Sequence, residues 1–119
     1  MRFSKFGVTE YNRELSHTGA TLFSPLLQKT TYLIGMNGEV LHQWVLESYT
    51  GNYAYLLPNG NLLVAVHTPK GPKFNAKGGK IQEITWDGEV VWEYLDDYQH
   101  HDFRRCENGN TIYLGWELL

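Results

Sequence analysis

Tyr53-Ala-Tyr-Leu-Leu-Pro-Asn-Gly-Asn-Leu-Leu-Val64 returns 49 residues later as Asp102-Phe-Arg-Arg-Cys-Glu-Asn-Gly-Asn-Thr-Ile-Tyr113, the shared Asn-Gly-Asn marking the register. A second pair, Met36-Asn-Gly-Glu-Val-Leu41 and Trp86-Asp-Gly-Glu-Val-Val91, recurs at a displacement of 50. Two separate motifs keeping nearly one period define an internal repeat, and a strand-only repeat of about 50 residues is the size of a β-propeller blade. The turns agree. Asn37-Gly38, Asn59-Gly60, Asp87-Gly88 and Asn108-Gly109 accept positive φ at both central positions of a type I′ hairpin turn.

Around these turns, β-branched and aromatic residues pair residues 31–36 with 40–46, 53–57 with 61–68, 80–86 with 90–95, and 102–107 with 110–117. Adding 20–24 gives nine strands, and no long stretch keeps a helical period. The fold class is all-β: a partial blade at 17–48, a full four-stranded blade at 51–97 and a partial blade at 100–119, about two and a half β-propeller blades in all. Such a segment leaves strand edges and apolar faces open. A six-bladed ring needs roughly 300 residues. The expectation is completion by a longer chain or by self-association, a homotrimer bringing about 27 strands against the roughly 24 of six blades.

Composition narrows the function classes. A chain of 119 residues is large enough for one core, and twelve glycines beside eight tyrosines and four tryptophans favour turns and strands. A formal charge of −3 with scattered basic residues argues against nucleic acid and anionic membrane as partners. No run approaches the roughly 18 apolar residues of a membrane span. Residues 1–12 lack the apolar centre of a signal peptide, so the chain as encoded is expected in the cytoplasm, and in the periplasm only behind an upstream segment. Cys106 is alone, which excludes an intrachain disulfide. It falls where Leu57 stands in the preceding repeat and reads as a small buried apolar residue.

Several stretches, in order, resemble the arylsulfotransferase (aryl-sulfate sulfotransferase) family. They are Gly19-Ala-Thr-Leu-Phe-Ser-Pro25, Thr31-Tyr-Leu-Ile34 with Asn37-Gly-Glu-Val40 and Trp44, and the Tyr53–Leu63 motif. Gly79-Lys-Ile-Gln-Glu-Ile84 follows with Trp86-Asp-Gly-Glu-Val-Val-Trp-Glu-Tyr94, then His100-His-Asp102 with Asn108-Gly-Asn-Thr111. The resemblance covers residues 17–117. It implies a six-bladed propeller and a transferase that moves a sulfuryl group from an aryl sulfate to a phenol. A channel histidine is transiently sulfated (sulfohistidine), and no organic cofactor is used. The family's later blades, with several of its active-site residues, have no counterpart in this sequence.

The candidate catalytic residues are His100, His101, Asp102 and Arg104. The two histidines open the innermost strand of a blade, the strand that lines a propeller channel. Neutral imidazole is a competent nucleophile near pH 7, and sulfuryl transfer, like phosphoryl transfer, needs positioning and charge stabilisation. By strand alternation Arg104 shares a face with His100 and Asp102 and is the candidate charge partner. Asp102 is suited to orienting an imidazole tautomer or accepting a phenol proton. Other readings stand beside these. Asp102 and His101 are equally suited to hydrogen bonds tying blades together, and adjacent strand residues share one surface only where the strand has not yet begun. A His-His-Asp metal site fits the spacing, but no second cluster completes the coordination sphere, and no metal is assigned. From another class comes a non-catalytic propeller module that self-assembles and binds a ligand or protein.

The remaining candidates carry simpler readings. His17 caps a turn, His42 faces solvent from an outer strand, and His67 ends a strand near a channel mouth. Trp44, Trp86, Trp92 and Trp116 pack between blades or wall a phenolic ligand. Residues 70–79 form a solvated Gly- and Lys-rich connection, or a loop that reaches a partner.

Overall fold

Four hairpin turns of one design set the architecture. In the computed structural model, which describes residues 7–119, Leu57 N donates to Asn61 O at 2.8 Å and Gly60 N to Leu57 O at 2.9 Å. The same pair of bonds closes the turns at Gly38, Gly88 and Gly109. Only the glycine of each turn takes a left-handed φ, for example 85° at Gly60. The expected two-residue type I′ turn, with positive φ at both central residues, is therefore replaced by a three-residue loop ending in a left-handed glycine. Asn59 and Asn108 keep negative φ because each side-chain oxygen accepts the N–H two residues on, at 3.0 Å. Residues 1–6, part of the stretch examined for a leader, lie outside the described residues.

Nine strands result, and no helix occurs among the described residues. They are β1 Thr21–Phe23, β2 Thr30–Ile34, β3 Val40–Val45, β4 Thr50–Leu56, β5 Leu62–His67, β6 Gly79–Ile84, β7 Val90–Leu95, β8 Gln99–Arg105 and β9 Thr111–Gly115. Antiparallel pairing in chain order groups them into a first sheet β1-β2-β3, a central sheet β4-β5-β6-β7 and a third sheet β8-β9. Among the described residues no helix is long and apolar enough to cross a membrane.

The middle strands of the central sheet, β5 and β6, are buried on both faces, which explains the nearly unbroken apolar run of β5. Leu62, Val64 and Val66 turn one way and join Trp44, Leu46 and Ile84 in a core shared with the first sheet. Leu63 and Ala65 turn the other way and join Ile81 and Phe103, with Tyr53, Tyr55, Trp92 and Tyr113 packed around them. Each fully buried Leu, Val or Phe contributes about 1.5–3 kcal/mol relative to exposure, so β5 ties three sheets together. The sheets do not wrap into a sphere. The Cα radius of gyration is 16.3 Å, against about 13.5 Å for a compact chain of this length. Both outer faces carry exposed apolar side chains, Phe23 and Val40 at one end, Ile112 and Leu114 at the other.

Two local readings change. His42 is half-buried rather than solvent-facing: its ring stacks on Trp86 at 3.9 Å, and its Nε2 meets the Trp86 carbonyl at 2.7 Å. The connection between β5 and β6 is solvated over most of its length, residues 69–76, and buried only at its end. Lys77, Gly78 and Gly79 are buried, because that stretch passes beneath Gln99.

Candidate functional site

β4 and β8 open in the same way. Thr50 faces Val66 and Ala54 faces Val64, so residues 51–53 stand opposite Ala65 alone. Gln99 faces Gly115 and Phe103 faces Tyr113, so residues 100–102 stand opposite Leu114 alone. Both strands thus carry an extended bulge at one place in the repeat, and bulges re-aim side chains. Thr50 and Gln99, the equivalent residues just before each bulge, also share an electrostatic oddity. Each has a buried polar atom, Thr50 Oγ1 and Gln99 Nε2, without a hydrogen-bond partner.

The β8 bulge decides how the histidines meet. In a regular strand His100 and His101 would point to opposite faces. Here their rings touch, with centroids 4.5 Å apart at 65° and a hydrogen bond between the two Nδ1 atoms. One Nδ1 must carry the proton and donate it to the other. In the neutral pair the donor ring then has its lone pair on Nε2, while the acceptor ring has its proton there. The lone-pair Nε2 and the Nε2–H thus lie at opposite ends of the pair, linked through the Nδ1–Nδ1 hydrogen bond. Trp116 packs edge-on against His100 at 4.4 Å and reaches Phe74 at 5.6 Å.

Beneath the histidines lies a glycine-lined passage. Lys77 bridges to His100, Gly78 N donates to Gln99 O at 3.1 Å, and Gly79 N donates to Gln99 Oε1 at 3.0 Å. A Cβ on Gly78 would sit 1.7 Å from Gln99 Oε1, so no side chain fits there. The Lys77 ammonium donates to Thr68 O, Thr68 Oγ1 and Gly78 O at 2.9, 2.9 and 3.2 Å. Burial lowers its pKa, partly opposed by Asp97 and Asp96. His67 is lowered too, by burial and then by Lys77.

The other two candidates stand apart from the histidines. Asp102 and Arg104 are on the exposed face of β8, and the Arg104 guanidinium lies 4.8 Å over the Tyr55 ring. Neither makes a hydrogen bond or ion pair with an imidazole among the described residues, since the bulge takes His100 and His101 out of the alternation that keeps Asp102 and Arg104 on one face. The arginine that enters a charge network is Arg105. It pairs with Glu83 at 3.1 Å, donates to Thr111 Oγ1 at 2.8 Å and lies 4.6 Å over Trp92. Burial alone would raise the Glu83 pKa, but hydrogen bonds from Asn61 and Asn59 and the Arg105 charge carry it below the ordinary carboxylate value.

Sequence reading missed Lys77, Gln99 and Asn52. One signal for them was present. The 49-residue displacement aligns Asn52 with His101 and Thr50 with Gln99, and the Gly78-Gly79 pair marks a close backbone approach. Of the others, His17 is exposed, His67 borders a cleft, and Cys106 is a partly buried free thiol. Among the described residues no group of three His, Cys, Asp or Glu converges as a metal cage. No family model, curated protein or solved structure matches this chain.

Proposed function

We propose that the three sheets are blades of an arylsulfotransferase-type β-propeller in which the His100–His101 pair transfers a sulfuryl group from an aryl sulfate to a phenol. The touching imidazoles in the β8 bulge carry this reading. The near-50-residue period, the face-to-face sheets and the shared bulges of β4 and β8 support the propeller, with β4 and β8 as inner strands.

The lone-pair Nε2 attacks sulfur and the S–O bond to the aryl group breaks; the Nδ1 proton of the attacking ring crosses the Nδ1–Nδ1 hydrogen bond to its partner, whose Nε2 proton passes through water to the departing phenolate. A second phenol then attacks the sulfated imidazole, returns its proton to the pair and leaves as the new aryl sulfate. Once further blades enclose the exposed face of β8, Arg104 would stabilise charge on the sulfuryl oxygens and Asp102 would relay the acceptor's proton to the imidazole pair. Those blades come from further copies, a homotrimer, or from a longer chain.

Incubation with 4-nitrophenyl sulfate and phenol tests the reading. Release of nitrophenolate, a sulfuryl adduct on the β8 peptide, and loss of both in His100→Ala and His101→Ala are expected. Turnover untouched by either substitution, or no turnover in an assembled ring, would overturn it.

A further inference from the structure

We propose that two copies of this chain build one blade between them: β9 of one copy pairs with the edge of β2 in the next, the place that β1 occupies within a single chain. The inference rests on the reading of the sheets as blades, and adds to it the partner, a second copy, and the register of contact.

Register is the first observation. β5 pairs with β6 as Leu62 with Ile84, Leu63 with Glu83 and Val64 with Gln82. Shifted back by the 50-residue period, these β6 residues become Ile34, Leu33 and Tyr32, and β1 meets them with Thr21, Leu22 and Phe23. β1 thus stands where the second strand of a blade stands. By the 49-residue displacement β9 is that same second strand, Thr111–Gly115 answering to residues 62–66. One position has two claimants, and they fit it unequally. β1 covers three of the five residues of β2 and leaves Thr30 and Thr31 without a strand partner on that edge, whereas β9 has five residues to match all five. An open strand edge is a template for a strand of another chain.

The faces agree. Within the chain, Ile84 shares a core with Trp44, and the Trp44 indole N–H donates to Thr85 O at 3.0 Å. Tyr94 holds the place of Trp44 one period on, yet Tyr94 and Trp92 border an open cleft of about 280 Å³, because the third sheet stops at β9 and no outer strand covers them. The other end of the molecule carries the matching surface, an apolar cleft of about 410 Å³ bordered by Tyr32, Ile34 and Val40. When β2 and β3 of a second copy continue the sheet from β9, Ile34 lies over Tyr94 as Ile84 lies against Trp44, and both clefts close. Each copy then accounts for its own central blade and one shared blade, so three copies make six. The surplus of three strands over the roughly 24 of that ring is one displaced β1 per copy.

Oxidative cross-linking of the full chain in a Cys106→Ser background tests the register. Ile112→Cys with Leu33→Cys, opposed across copies at the roughly 4.5–5.5 Å of an antiparallel pair, should link chains into covalent oligomers. Leu114→Cys with Leu33→Cys, a diagonal pair about 7–8 Å apart, should not. No cross-link, or equal cross-linking of the two pairs, would overturn the proposal. Leu22→Pro, which bars β1 from the edge, gives a second readout by light scattering. Because a short tether holds β1 at an effective concentration of about millimolar, its removal should lower the protein concentration for half-assembly at least about tenfold. Unchanged or weaker assembly would count against the exchange as decisively. Neither readout uses a sulfate donor: an active chain that does not cross-link defeats this inference alone, and a cross-linked ring without turnover defeats the sulfuryl reading alone.

Discussion

Arg105 and Glu83 join the third sheet to the central sheet through a 3.1 Å ion pair that is largely out of water, with side-chain exposures of 19% and 11%. The pair is embedded rather than isolated. Asn61 donates to the same carboxylate at 2.8 Å, and the Arg105 backbone N–H donates to Tyr55 Oη at 2.6 Å. Polar groups this enclosed cost more to leave unpaired than the pair gains by forming, so the network acts as a latch of defined register between sheets.

The latch should open in acid. The folded Glu83 pKa lies below its ordinary value of 4.5, so its stabilisation is fully present above that value and is lost as pH falls through the depressed pKa. Denaturant unfolding followed across this range should show a steep acid limb, flattened in Glu83→Gln. An acid limb of the same slope in Glu83→Gln would assign the loss to other carboxylates.

Tyr55→Phe isolates the other half of the latch. Removing Oη leaves the Arg105 N–H without its acceptor, at a cost of about 1–3 kcal/mol. The ring stays in place, since it stacks on Phe103 at 5.9 Å and 28°. Combined with Glu83→Gln in a double-mutant cycle, the two changes should couple because they act on one residue. Additive losses would mean that the two contacts hold separately.

Strand number and pairing were legible because turn residues punctuate the sequence at nearly fixed spacing, and each Asn-Gly or Asp-Gly leaves an alternating segment on either side. The openings of β4 and β8 were not. Thr50-Gly51-Asn52 and His100-His101-Asp102 break period-two alternation, and their inclusion depends on register against β5 and β9, which only pairing sets. β8 consequently starts three residues before the expected 102, and both histidines fall inside it. Lys77 was misjudged for a similar reason. Nothing near it in sequence signals burial, which follows from its bridge to His100, twenty-three residues on.

Glycines separate two kinds of requirement. A Cβ on Gly60 meets nothing within 4 Å but must adopt φ +85°, so Gly60→Ala should cost about 1–2 kcal/mol. Gly78→Ala has no such φ problem, yet its Cβ would displace the Gln99 side chain, which is 1% exposed and bonded to Gly79 N. Loss of that bond and of close packing should cost about 3 kcal/mol or more. Thermal unfolding of the two variants should therefore rank Gly78→Ala as clearly the worse, and the reverse order would show that the passage beneath Gln99 relaxes.

The outer face of the third sheet presents Ile112 and Leu114, 66% and 52% exposed, beside the charged Asp102 and Arg104, while the first sheet presents Phe23 and Val40. Two different apolar faces at opposite ends of a row of sheets favour head-to-tail contact, which closes only if the rotation per copy divides a full turn. Light scattering coupled to size exclusion should give one species near three times the 13.8 kDa chain mass. Ile112→Lys on the exposed face should shift that species to monomer without unfolding it, because the side chain is mostly in solvent. A monomer in the unsubstituted chain would remove the self-closed ring, and open-ended polymers would show that the rotation between copies does not close.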